Sequence, residues 1–256
     1  MEYIVFDLEF NQGFDKNLNK TVSDEKCPFE ILQIGAVKLD SNLNIIDTFD
    51  TFVRPNIYKE IHPFIKKMTN INNEDVKDAP GFIDAFKMFK SFMENKDNTT
   101  LCVWGNGDLK ELYRNIKYYN LSIDNLSNSY INVQHHASVY FNNPTGRSIG
   151  LQNAITLLEL NQDKSYHNAL NDAYYTSLVF KKIYSDSIEI KCYDFDALNK
   201  SKKSDTKRKI SYNNIFNEFK KILNRDLNKE EKKIIHLAYR MGQKSKSQED
   251  KNNSKK

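Results

Sequence analysis

Tyr3-Ile4-Val5-Phe6-Asp7-Leu8-Glu9 places four apolar residues in succession before two carboxylates separated by a leucine. The apolar run predicts a short buried strand over Tyr3–Phe6 that closes on Asp7. Side chains alternate across a strand, so Asp7 and Glu9 share one face of the sheet. Carboxylates held side by side repel, and a divalent cation is the usual way to relieve the repulsion. The Asp-x-Glu pattern has little weight alone, because roughly one chance match is expected in a chain this acidic. Its placement adds weight, since strand ends in α/β sheets are where ligand sites form.

Downstream, Ile31–Leu39 and Ile45–Val53 are β-rich runs separated by Asp40-Ser41-Asn42, which predicts a hairpin. Helical spacing appears over Gly81–Met93, where Phe82, Ala85, Phe86, Phe89 and Met93 fall on one face. Leu101–Trp104 is a further short strand, and Asp108–Tyr118 a helix with Leu109, Leu112, Tyr113 and Ile116 inward. Tyr130–Val133 is a weaker strand, while Leu151–Leu160 and Ala169–Ile183 are helical by periodicity. A hairpin followed by strands alternating with helices implies an α/β domain, a mixed sheet flanked by helices.

Three more residues attract notice by position. Asp108 follows Trp104-Gly105-Asn106-Gly107 at a second strand's end and at the start of a helix, where an Asp also serves as an N-cap. His167 and Asp172 lie in His-Asn-Ala-Leu-Asn-Asp-Ala. Five helical residues turn through about 140°, so the pair cannot share a face inside one helix. His167 is expected in the loop before the helix and Asp172 in an early turn, both toward one cleft. Taken singly, a loop histidine and an exposed helix carboxylate are the favoured explanations.

The chain has 256 residues, 39% hydrophobic and 12% aromatic, enough for one large domain or a domain with a helical appendage. No run approaches the apolar length of a membrane span, and Met1 leads directly into the first strand rather than a signal peptide. A soluble, unexported, cytoplasmic protein is expected. Cys27, Cys102 and Cys192 are far apart and form no CxxC pair, which argues against a disulfide framework or a zinc ribbon. Residues 1–195 carry 20 Lys/Arg against 26 Asp/Glu, whereas residues 196–256 carry 18 against 8. An acidic body therefore precedes a tail of net +10, a candidate anion-binding appendage or simply a solvated segment. Residues 1–193 are read as the body, 194–209 as a basic linker and 210–242 as a helical pair. Asn228 is the candidate cap of the second helix and Gly242 its stop, and 243–256 are expected to be disordered.

The ordered set Asp7, Glu9, Asp108, His167 and Asp172 resembles the DEDDh exonucleases of the ribonuclease H-like superfamily. Phe29–Val37 is similar to that family's second strand, and Phe52-Val53-Arg54-Pro55 to the end of its third. Met68–Val76 resembles its Leu-Thr-Gly-Ile segment, with Asn70 where Gly is usual, and His167–Ala173 resembles its last motif. The resemblance spans about residues 3–184 and leaves out the basic tail. It implies a ribonuclease H-like mixed β-sheet and a 3′–5′ exonuclease that releases nucleoside 5′-monophosphates from single-stranded ends. It also implies Asp7, Glu9, Asp108 and Asp172 as ligands of two divalent cations, Mg²⁺ or Mn²⁺, which suit oxygen donors. His167 is implied as general base, and Phe10 and Ile71 as surfaces meeting the terminal base, with packing into the core as the alternative for each, more so for Ile71 than for Phe10. His135 and His136 fall outside the pattern and are expected in ordinary polar roles. RNA is modestly favoured over DNA. The alternatives are a proofreading-type DNA exonuclease or a non-catalytic regulator on the same fold, and the C-terminal helices could instead dock a protein partner.

Overall fold

The computed structural model describes residues 1–94, 96–124, 126–143, 147–195, 212–235 and 238. They fall into two compact units, Met1–Phe195 and Asp196–Lys256. In the first unit, β1 (Glu2–Asn11) pairs antiparallel with β4 (Glu30–Leu39), which pairs antiparallel with β5 (Ile45–Phe52). On its other side β1 runs parallel to β6 (Thr99–Val103), and β6 parallel to β7 (Ser129–Asn132). The short β8 (Lys191–Cys192) closes the order β5-β4-β1-β6-β7-β8. A separate hairpin joins β2 (Gly13–Asp15) to β3 (Lys20–Val22).

Helices cover both faces. Ile4, Phe6 and Leu8 point into a core with α3 (Phe82–Met93) and α4 (Gly107–Tyr118). Tyr3 and Val5 point the other way, toward α5 (Val133–Tyr140), α6 (Leu151–Leu157) and α7 (Ala169–Ile183). The period-two alternation of β1 thus divides the two cores. A third, smaller cluster gathers Leu32 of β4 with Ile61, Ile65, Ile71 and Val76, around α1 (Pro63–Thr69) and α2 (Asn73–Val76).

The β4–β5 hairpin turns as its Asp40 suggests, with Asp40 Oδ1 accepting from the Asn42 and Asn44 amides at 2.9 and 2.8 Å. α7 has the bounds that periodicity predicts. β1 differs: it is ten residues long, because Leu8 and Phe10 keep the alternation beyond Asp7, so the two carboxylates lie inside the strand. α1, α2, α5 and the β2–β3 hairpin are too short or too polar to announce themselves by periodicity. Cys27, Cys102 and Cys192 are free thiols. Among the described residues no helix is long and apolar enough to cross a membrane.

In the second unit, α8 (Tyr212–Leu223) is followed by helical residues 229–235. Asn228 Oδ1 accepts from the Glu230 and Glu231 amides, and the Glu231 carboxylate accepts from the Asn228 amide, a reciprocal cap. The linker from residue 196 on, the stop at Gly242 and the polar 243–256 segment lie outside the described residues.

Candidate active site

The site forms where β1 outlasts its parallel neighbour. The β1–β6 ladder ends at the Val5–Cys102 pair, while β1 continues to Asn11. Asp7 and Glu9 extend the face of Tyr3 and Val5, and across the ladder to β4 they stand opposite Gly35 and Gln33. Glu9 is buried and Asp7 half-buried. The Leu8 backbone, past the last β1–β6 pair, favours the charged forms of both Asp7 and Asp108.

Asp108 arrives from the end of β6. The connection turns at Gly105, whose φ of +92° a side chain would rarely adopt. Asn106 is the N-cap of α4, so Asp108 is its second residue and not the cap. Its side chain is instead buried against β1.

His167 and Asp172 come from the start of α7, as their spacing requires. His167 precedes the N-cap Asn168 and holds a left-handed backbone with φ +60°, uncommon outside glycine. Its amide donates to Asp172 Oδ2 at 3.0 Å, which ties loop to helix. Behind it, Tyr175 Oη accepts from the Lys164 amide and donates to the Lys164 carbonyl, and its ring stacks on Tyr166.

Two further residues set how close α7 comes to the sheet, and neither stood out by chemistry. A Cβ on Gly35 would lie 2.0 Å from the Leu170 nitrogen, so the helix start rests directly on bare backbone. Gln33, fully buried, accepts from the Ala169 amide at 3.1 Å while its own amide donates to Asp50 at 2.8 Å. A glycine inside an otherwise apolar strand was the available signal for the close approach.

The charges of the site are unbalanced. Burial pushes Glu9 up to about 8, with the Asp172 and Asp108 carboxylates adding to it. Burial raises Asp108 to about 7, opposed by its own and the Leu8 backbone. Burial likewise raises Asp172 to about 6, opposed by the His167 amide and imidazole. Asp7 stands well above the carboxylate range, through burial and then through Asp108, Asp172 and Glu9. Asp172 Oδ1 is buried with no hydrogen-bond partner. Ligand atoms of Glu9, His167 and Asp172 lie within 4.8 Å of one another. Orphaned, mutually repelling oxygens fit a hard divalent cation. The tight group differs from the set the resemblance implied, including His167 and leaving Asp7 and Asp108 electrostatically coupled beside it.

Ile71 is buried in the small third core, and Phe10 is half-buried with its ring 6.2 Å from that of Phe29. Asn70 caps α1 in a left-handed conformation, φ 60° and ψ 8°. Gly and Asn are the residues that tolerate this geometry, which accounts for Asn where Gly is usual. Asn11 fastens the preceding loop to β1, accepting from the His62 amide and donating to the Tyr58 and Glu60 carbonyls. Buried Glu30 accepts from the Asn56, Ile57 and Tyr58 amides, so this acid is spent on structure.

Residues 4–180 match the sequence profile of the family described as Exonuclease (RNase_T). The chain belongs to this exonuclease family, as a DEDDh-type member. Among curated relatives, the PolC-type DNA polymerase III of Caldanaerobacter subterraneus subsp. tengcongensis is 30% identical over 189 residues. That match takes in 74% of this chain but only 12% of the polymerase. The probable 3′-5′ exonuclease KapD of Bacillus subtilis is 25% identical, with 72% of this chain and 84% of KapD covered. The exonuclease fold is shared with the nuclease domain of 3′hExo, a DEDDh family member solved with rAMP. That likeness has a TM-score of 0.62 at 20% identity and covers 75% of this chain and 96% of the other. Cell-death related nuclease 4 is similar at a TM-score of 0.61 and 14% identity, with 74% and 65% covered.

Proposed function

We propose that this exonuclease removes nucleotides one at a time from the 3′ end of a single strand, releasing nucleoside 5′-monophosphates. The observation that carries the reading is the mutual repulsion of Asp7, Glu9, Asp108 and Asp172, from three separate segments, beside His167, with no Lys or Arg ion pair to them among the described residues. Those four carboxylates would hold two Mg²⁺ or Mn²⁺ ions. When bound, such ions supply an activated water and neutralise charge on the leaving oxygen. His167, exposed at the lip of the site, would take the proton from the attacking water. The hydrogen bond that its backbone N–H donates to Asp172 keeps the ring beside the carboxylates. Phe10, next to Glu9, would stack on the terminal base, and Ile71 would back it from the neighbouring core.

RNA is the favoured substrate. The Glu30–Val37 and Met68–Val76 stretches resemble exoribonucleases more than proofreading domains, and 3′hExo was solved with rAMP. The polymerase match keeps DNA as the competitor. The test is a 5′-labelled single strand, as RNA and as DNA, with Mg²⁺, Mn²⁺ or EDTA. A ladder of shortening products is expected with either cation, none with EDTA, and none from Asp7→Ala. Cleavage of a circular strand, or full activity of Asp7→Ala in chelator, would overturn the reading.

A further inference from the structure

Parallel strands β1, β6 and β7 end along one edge of the sheet, and the carboxylates occupy only its β1–β6 part. One strand further on, two clefts of 180 and 240 Å³ share Asn132 and His135. The smaller runs between Asn106 and Lys191, and the larger reaches Arg147. Asn106 stands at the N-cap position of α4, two residues before Asp108, so the smaller cleft is lined by the segment that leads into the carboxylate site. Neighbouring strands are about 4.8 Å apart, which places the nearer cleft on the order of 10 Å from the site. Crevices beyond the carboxyl ends of parallel strands are where α/β sheets bind ligands.

The lining suits a single nucleic-acid strand. Cations stand at the two ends, Lys191 and Arg147, and Arg147 makes no ion pair among the described residues. Lys191 faces Glu189 at 3.3 Å, so that carboxylate tempers one end. The amides between are fixed: Asn132 Nδ2 donates to Asn106 Oδ1 at 3.0 Å, and Asn132 Oδ1 accepts from the His135 amide at 3.0 Å. The His135 and His136 rings meet at 5.3 Å and 73°, with His135 exposed and His136 half-buried. Among the described residues, metal-ligand geometry occurs at Glu9, His167 and Asp172 and not at this histidine pair, so an anion is the better occupant.

We propose that these joined clefts carry the nucleotides on the 5′ side of the scissile bond. Lys191 and Arg147 take successive phosphates, and the His135 ring takes a base. The proposal rests on the exonuclease reading of the adjoining site. It is tested with a fluorescent octanucleotide and a dinucleotide, comparing wild type with Arg147→Ala/Lys191→Ala and with His135→Ala.

In EDTA, octanucleotide binding should weaken in the double variant. Its log–log salt slope should flatten by about 1.4, since each phosphate contact on a single strand contributes about 0.7. With Mn²⁺, kcat/KM for the octanucleotide should fall about tenfold further than for the dinucleotide, and His135→Ala should show a similar length-dependent loss. Arg147→Lys should retain the slope and Arg147→Glu should weaken binding more than Arg147→Ala, two single changes at an exposed position that spare the fold. An unchanged slope, or equal losses on the two lengths, would overturn the proposal. Should wild type cut neither substrate, the exonuclease reading falls, while the EDTA binding comparison still decides the clefts.

Discussion

His167 concentrates the chemistry at the residue scale. Its replacement by Ala should slow turnover by about 10²–10⁴, the usual loss with a general base. Mn²⁺ binding by calorimetry should persist, and near-normal turnover would reduce His167 to a loop residue. Gly35→Ala tests a different dependence. Its added Cβ would strike the backbone of Leu170, which cannot swing aside as a side chain can. A destabilisation of about 1–3 kcal/mol is expected, with activity falling alongside it as α7 is pushed from the sheet. Thermal melts and turnover measured together would show it, and an unchanged melt would mean that the helix yields freely. The five candidate residues were legible through their order along the chain, the pattern that carries the family resemblance; singly, none of them stood out. Gly35 was half legible, as an anomaly in a strand. Gln33 was not, because a buried amide has meaning only once the helix it touches is in place.

At the scale of elements, the long periodic segments were readable and the short ones were not. α3, α4 and α7 carry enough buried turns to show their faces, whereas α2 has four residues and depends on a capping box and one buried valine. β1 was underestimated because charge was taken to end a strand that alternation continues. The joint between α7 and the sheet is where element geometry governs the site. Gln33→Leu would leave the buried Ala169 amide without its acceptor, at a cost of about 1–3 kcal/mol. The expected signature is a lower kcat with KM little changed, because Asp172 and His167 ride on that helix. Asp50→Asn, which can still accept from Gln33, should behave as wild type. Equal kinetics for Gln33→Leu and wild type would show that Gly35 alone seats the helix.

For the whole molecule, unpaired acidity sets the response to pH. Glu9, Asp108 and Asp172 have folded values of about 8, 7 and 6, above the ordinary carboxylate range. The folded state therefore holds protons that the unfolded chain releases, and the stability so gained is complete below about pH 4. It is lost as pH rises through 6 to 8. Cation-free protein should melt at a lower temperature at pH 8.5 than at pH 5, and Mn²⁺ should raise the melt more at pH 8.5. A cation effect independent of pH would argue that these carboxylates are not its ligands. The tail of net +10 belongs to this scale too. Removing residues 196–256 should raise KM for long strands and flatten the salt dependence, with kcat on short ones nearly unchanged. Kinetics insensitive to truncation would assign the tail to solubility or to a protein partner.

The early end of β6 has a consequence for genetics. The Leu8 N–H just past that end favours the charged forms of Asp7 and Asp108, yet it belongs to the main chain and not to any side chain. No codon change deletes that donor except one to proline, which would break the strand as well. An alanine scan of this protein would pass over one member of its site in silence, and only a backbone ester at residue 8, made by chemical ligation, would weigh it.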